Sequence, residues 1–295
     1  MPEAENGRTP LKQCGADMRF PTLFAAISTV IGAALLASAA CADVLDDVKK
    51  RGEIVIGTEA AYQPYEYFKD GQIIGYDVDL ADIFFAKNLG VKVKLVDTAW
   101  NGIIPALLAK KFDIIFSGMT ITGERAQRVN FSMPYAEATN VILVRIDDDS
   151  IKSAEDLNGK VVAATLASAG GKVAQEFNAA LKAKGQPGYK DFKTYEHYPE
   201  AYVDLANKRV DAVVNSLSSL VPMMNERKGK FRLVKGIQDL KAYFGVAVRK
   251  DDPDMLKFIN QQFAAVKASG DLAKLQEKWF GETMETPNEV PEKLP

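Results

Sequence analysis

The sequence predicts an α/β protein with largely parallel sheets, long enough for two compact lobes. Three observations lead there. Short β-branched segments that suit buried strands alternate with longer segments of helical periodicity. The alternation restarts near residue 139 and runs through a second round, which is the pattern of strands joined by crossover helices. The 295 residues are 47% hydrophobic and 26% charged, an ordinary globular balance with enough apolar surface for more than one core.

Each element has a local reason. Residues 53–57, Glu-Ile-Val-Ile-Gly, read as a short buried strand ended by glycine. Apolar Val78, Ile83, Phe84 and Leu89 give a helix over 78–89, stopped by Gly90. Alternating Val and Lys over 91–96 is a half-exposed strand. Asn101 is a cap for a helix over 102–110, with Pro105 in its first turn, where a missing N–H costs little. Residues 113–116 are another buried strand. In the second round, 139–144, 160–164, 191–196, 211–214, 231–234 and 243–248 read as strands. Ser153 and Asp156 have the spacing of a capping box before a short helical turn. Helices are expected over 171–184, 199–208, 253–268 and 272–279, and the Pro- and Glu-rich tail from 282 is expected to be loose.

The N-terminus reads as an address. Met18-Arg19-Phe20 is a short positive start, residues 23–40 are uncharged and apolar or small, and Ala40-Cys41-Ala42 is a small-x-small site. This is the layout of a cleaved secretory signal, with translation starting at Met1 or Met18. A permanent anchor over 20–42 and a lipid anchor on Cys41 are the alternatives, and Ser38 stands where a lipobox usually has Leu. Cleavage after 42 removes three basic residues (Arg8, Lys12, Arg19) and three acidic ones (Glu3, Glu5, Asp17), so the charge stays at -2. It also removes both cysteines, Cys14 and Cys41, and leaves His197 as the one histidine. Metal sites built on His and Cys are therefore not expected, and neither is any cofactor: the chain has no GxGxxG and no P-loop. No basic run points to nucleic acid. In α/β sheets, ligands sit beyond the carboxyl ends of strands, which directs attention to the residues just after Gly57, Phe116, Ala164 and Val214.

Five segments carry a resemblance. Gly57-Thr58-Glu59-Ala60-Ala61-Tyr62-Gln63-Pro64-Tyr65, Gly75-Tyr76-Asp77-Val78-Asp79-Leu80, Ile104-Pro105-Ala106-Leu107, Ser117-Gly118-Met119-Thr120-Ile121-Thr122-Gly123-Glu124-Arg125 and Lys278-Trp279-Phe280-Gly281 stand in the order found in polar amino acid-binding proteins of bacterial ABC importers. The chain thus resembles the family 3 extracytoplasmic solute-binding proteins from about Asp46 to Gly281. The resemblance implies the two-lobed periplasmic binding protein fold (type II), with a ligand cleft between the lobes. One lobe would comprise 43–138 plus 241–281 and the other 139–240, closing on the ligand by a hinge. It implies a periplasmic monomer that takes an amino-acid-like solute and serves a membrane permease.

The same resemblance assigns the site. Arg125 is the carboxylate-binding arginine, and its planar fork suits that task. The hydroxyls of Ser117 and Thr120 and the N–H groups of Gly118 and Thr120 add hydrogen bonds. Tyr62 and Trp100 wall the ligand's side chain, and Glu59 faces an amine or a cationic side chain. Thr165, Ser168 and Ala169 lie at a helix N-terminus, which favours an anion. Ser216 stands where family members place the aspartate that holds the α-ammonium. The amine would then be held otherwise, as by Glu59, or be substituted or absent. Asp211 is read as structural, Asn215 as pointing away from the cleft by strand alternation, and His197 as a surface residue or part of the cleft rim. Two other functions stay open: a dehydratase-type enzyme on the same fold, with Glu59 and His197 as candidate acid and base, and a sensor for a separate signalling partner.

Overall fold

Two five-stranded sheets share one plan in the computed structural model, which describes residues 44–295. The signal-like segment, Cys14 and Cys41 lie outside the described residues. The first sheet runs Lys92–Asp97, Glu53–Thr58, Ile114–Ile115, Ala247–Val248, Asn130–Phe131. The second runs Asp191–Tyr195, Val161–Thr165, Ala212–Ser216, Asn140–Arg145, Phe231–Val234. In each sheet three parallel strands are extended by antiparallel ones. The parallel strands are covered on both faces, which is why Ile54, Ile56, Val162, Ala163 and Ala164 are all buried and near-continuously apolar. The chain passes from the first sheet to the second after Phe131 and returns before Ala247, giving a two-lobed α/β protein.

Asp211 is structural, as read, and has a counterpart. Its Oδ2 accepts the Val161 N–H at 2.8 Å. Asp113 Oδ2 accepts the Val55 N–H at 2.7 Å in the other sheet and pairs with Arg51. Each carboxylate ties the start of its own strand to the neighbouring one.

Several elements differ from the sequence reading. The helix over 78–89 begins as an α-helix at Tyr76–Ala81 and continues as a wider π-helix, Asp82–Leu89, with Gly90 closing it at φ 76. Asn101 caps nothing. It lies inside a 3₁₀ turn, Trp100–Gly102, and Gly102 precedes the helix Ile103–Leu108. The capping box at Ser153 is formed, the Ser153 N–H donating to Asp156 Oδ2 at 2.9 Å. The helices Val44–Arg51 and Leu217–Glu226 and the antiparallel meander Ala61–Tyr62, Glu66–Lys69, Gln72–Ile74 are not among the expected elements. Gly75 ends the meander at φ 151, and a Cβ there would sit 2.0 Å from the Tyr65 carbonyl oxygen, so only glycine fits.

The tail from Glu282 has neither helix nor strand, yet it is tied down, contrary to the expected looseness. Met284 N–H donates to Gln276 Oε1, Lys267 Nζ donates to the carbonyls of Thr286 and Pro287, Leu294 packs on the first lobe's core, and Gly123 N–H reaches Pro295 O at 3.3 Å. Among the described residues, no helix is long and apolar enough to cross a membrane.

Candidate ligand-binding cleft

The carboxyl ends of strands from both sheets converge. Glu59 follows Glu53–Thr58, and Gly118 and Thr120 follow Ile114–Ile115. Ser168 and Ala169 follow Val161–Thr165, Tyr198 follows Asp191–Tyr195, and Ser216 ends its own strand. Between them lies a narrow cleft lined by the aromatic residues Tyr62, Trp100, Tyr198 and Phe244. Its polar lining includes Glu59, Thr120, Asn140, Thr165, Ser168, Asn215 and Ser216.

The walls touch directly. Tyr62 OH donates to Asn215 Oδ1 at 3.1 Å and lies 2.7 Å from Ser216 Oγ. Tyr65 OH donates to Ser218 Oγ at 2.8 Å. Trp100 Nε1 and Arg125 Nη2 both donate to the Ala167 carbonyl, at 3.2 and 3.1 Å. Tyr62→Phe removes the hydroxyl that joins the meander to the second sheet at this point. It is expected to weaken ligand binding by about 1 kcal/mol, roughly fivefold, as measured by calorimetry.

Arg125 is half-buried beside the cleft, not among its central lining. Its guanidinium lies over the Trp100 ring at 5.2 Å and donates to the Thr120 carbonyl at 3.0 Å. It shares an adjoining groove with Thr165, Ser168 and Ala169, residues that also line the central cleft. Burial pulls its pKa down to about 10, which still leaves it cationic at any physiological pH. Across that groove begins the fifteen-residue helix Ala169–Ala183. Ser168 caps it by accepting the Gly171 N–H at 3.0 Å, and Lys172 N–H bonds the Ser168 carbonyl. Ala169 and Gly170, in the first turn at the positive end of the helix, line the cleft.

Two expected ligand donors point elsewhere. Ser117 is buried behind the cleft, where its hydroxyl accepts the Glu59 N–H at 2.9 Å and donates to Glu66 Oε1 at 2.8 Å. Gly118 lines the cleft, but its N–H donates backward to Asp77 Oδ2 at 2.8 Å. Both therefore hold the loop and are not free to grip a carboxylate. Ser168's hydroxyl is also engaged, donating to the Thr165 carbonyl at 2.7 Å.

Asn215 is a correction of a different kind. Asn215 and Ser216 are the last two residues of their strand, and both line the cleft at its carboxyl end. Asn215 therefore faces the cleft, donating to Tyr202 OH at 2.8 Å and accepting from Tyr62. Asn140, Gly170, Tyr198 and Phe244 also line the cleft and were not foreseen. The strand-end rule would have found Tyr198 had it been applied after Tyr195.

His197 is not a free surface residue. Its Nδ1 hydrogen-bonds Glu59 Oε1 across the cleft. Glu59 is 6% exposed, and burial pushes its pKa up to about 7 although the imidazole opposes that shift. Desolvation pulls His197 down, but hydrogen bonding and attraction to Glu59, helped by Glu200 and Glu196, outweigh it and leave the imidazole raised. Among the described residues there is no group of three or more side chains suited to hold a metal ion.

A two-lobed α/β protein whose strand ends meet around one small aromatic-walled cleft has the form of a solute-binding protein. The chain belongs to the bacterial extracellular solute-binding proteins, family 3, whose family model matches residues 54–282. It is 31% identical to the L-cystine-binding protein TcyJ of Escherichia coli (strain K12) over 240 residues, covering 81% of this chain and 86% of that protein. It is also 31% identical to the ABC transporter arginine-binding protein 1 of the same strain, over 77% of this chain and 90% of that one. Among solved structures, the ancestral amino acid-binding protein AncCDT-1, described as a precursor of cyclohexadienyl dehydratase, matches at 40% identity and a TM-score of 0.71. That match covers 81% of this chain and all of the ancestral one. A mutant of ArgBP from T. maritima matches at 38% identity and a TM-score of 0.70, over 81% and 99%.

Proposed function

We propose that this protein is the periplasmic receptor of an ABC importer and holds an amino acid or amino acid derivative by its carboxylate between two lobes. The observation that carries this is the placement of Arg125, from one lobe, in one groove with the start of the helix Ala169–Ala183, from the other. A carboxylate there meets a guanidinium fork on one side and a helix N-terminus on the other, and so draws the lobes together. The ligand stabilises the closed state by its differential affinity for it, and closure is what the permease reads. The lobes are taken as 43–138 plus 241–281 and 139–240, and the receptor as a monomer exported by a cleaved signal.

Mass spectrometry of the small molecules released on denaturing the purified protein is expected to yield a carboxylate-bearing, amino-acid-like compound. Calorimetry with that compound is expected to give one-to-one binding with the ligand recovered unchanged. The enzymatic reading is favoured by one observation, the Glu59–His197 pair on the cleft wall, since a carboxylate and an imidazole in contact can move a proton. Appearance of a converted product in the same incubation would establish that reading and remove the receptor one.

A further inference from the structure

We infer that His197 is a specificity-determining residue that turns the cleft against ligands with a cationic side chain, by holding Glu59 from the opposite lobe. The inference rests on the receptor reading and narrows its ligand class.

Glu59 is the one carboxylate lining the central cleft among the described residues. It follows a strand of the first sheet and is almost wholly buried. His197 stands at the end of the loop after Asp191–Tyr195 of the second sheet, immediately before the helix that begins at Tyr198. Closing the lobes brings the imidazole onto Glu59 Oε1. A guanidinium or ammonium aimed at this carboxylate has two courses. It can displace the imidazole, forfeiting a contact between the lobes that a neutral ligand keeps. Or it can share the carboxylate with an imidazole that already occupies Oε1 and repels a cation whenever it carries a second proton. Either course discriminates by penalising the wrong ligand, with no improved contact to the right one. The surrounding groups do not rescue it. Asp97, the nearest further carboxylate, has its Oδ1 accepting the Ala60 N–H, and the neighbouring walls are Tyr62, Tyr198 and Trp100. Two of the relatives differ in this respect by their names, one being a cystine binder and the other an arginine binder. The His197–Glu59 contact places this chain with the neutral ligands.

The test uses L-arginine and L-glutamine, of similar length with cationic and neutral ends, titrated calorimetrically into wild-type protein and His197→Ala freed of co-purified solute. Circular dichroism and the thermal midpoint check that both are folded. Removing the imidazole leaves a buried carboxylate without its partner, so His197→Ala is expected to strengthen arginine binding relative to glutamine by about tenfold or more. Glu59→Gln added to His197→Ala is expected to cancel that gain. An arginine-to-glutamine ratio within about twofold of wild type overturns the inference, as does a folded His197→Ala that ignores arginine. A gain that survives Glu59→Gln overturns it too, because the effect would not pass through the carboxylate. Retained glutamine binding with an unmoved ratio rejects this inference alone. Absence of any carboxylate-bearing co-purified ligand rejects the receptor reading instead.

Discussion

Arg125→Ala is expected to abolish measurable ligand binding, a loss of roughly 2–5 kcal/mol, the range for removing one partner of a desolvated charge pair. The guanidinium has five N–H donors, and its hydrogen bonds to the Thr120 and Ala167 carbonyls use two of them. Arg125 lines the groove shared with Thr165, Ser168 and Ala169, where a carboxylate can take up further donors of the fork. Trp100 packs against the flat side of the fork and fixes its plane, which reduces the entropy lost when a carboxylate is gripped. Arg125→Lys keeps the charge but loses the fork and the stacking, so it is expected to recover only part of the affinity. Stability is expected to change little in either variant, because Arg125 sits on a short surface helix, Gly123–Arg128, that buries no residue completely. Calorimetry with the co-purified ligand decides the matter. Unchanged affinity in a folded Arg125→Ala would show that the carboxylate is held elsewhere.

Much of this was legible in the chain because it is carried by local chemistry. The buried strands announce themselves as β-branched runs, and the rule that ligands lie past strand ends pointed to Glu59, Thr120, Thr165 and Ser216, all of which line the cleft. What the sequence hides is direction. Ser117 and Gly118 stand in the right loop, yet their polar groups turn inward toward Glu66 and Asp77, and no spacing rule tells a loop donor's inner face from its outer one. Asn215 defeats alternation because it and Ser216, the last two residues of one strand, both line the cleft. His197 looked solitary because its partner is 138 positions away, and only closing the lobes brings Glu59 to it. Asp156 and Ser153, by contrast, were legible because a capping box spans a few adjacent residues.

The inward-facing pair behind that loop carries the second large effect: Glu66→Gln is expected to stabilise the protein at pH 8 and to flatten its stability against pH. Glu66 is 0% exposed and Asp77 1%. Glu66 Oε1 accepts from Ser117 Oγ, and Asp77 Oδ2 accepts from Gly118 N–H and from Tyr135 OH, each at 2.8 Å. The other two oxygens, Glu66 Oε2 and Asp77 Oδ1, find no donor among the described residues. Burial raises Glu66 well above the carboxylate range, with repulsion from Asp77 adding to it, and burial raises Asp77 to about 7. Two adjacent carboxyls in such a place hold one proton between them. Both folded-state values lie above the unfolded ones near 4, so the pair's contribution is complete below that pH and is lost progressively as pH rises above it, through about 7 for Asp77. A glutamine at 66 keeps the acceptor for Ser117 and supplies a permanent N–H toward Asp77 Oδ1, with no proton to be taken up on folding. The gain is expected at pH 8 and should vanish near pH 4, as read from denaturant or thermal unfolding across that interval. Ligand affinity should survive, since Ser117 and Gly118 keep their anchors. A Glu66→Gln protein less stable than wild type at pH 8 would mean that both carboxyls are ionised in the folded state, with the loop beneath the cleft held by charge and not by a shared proton.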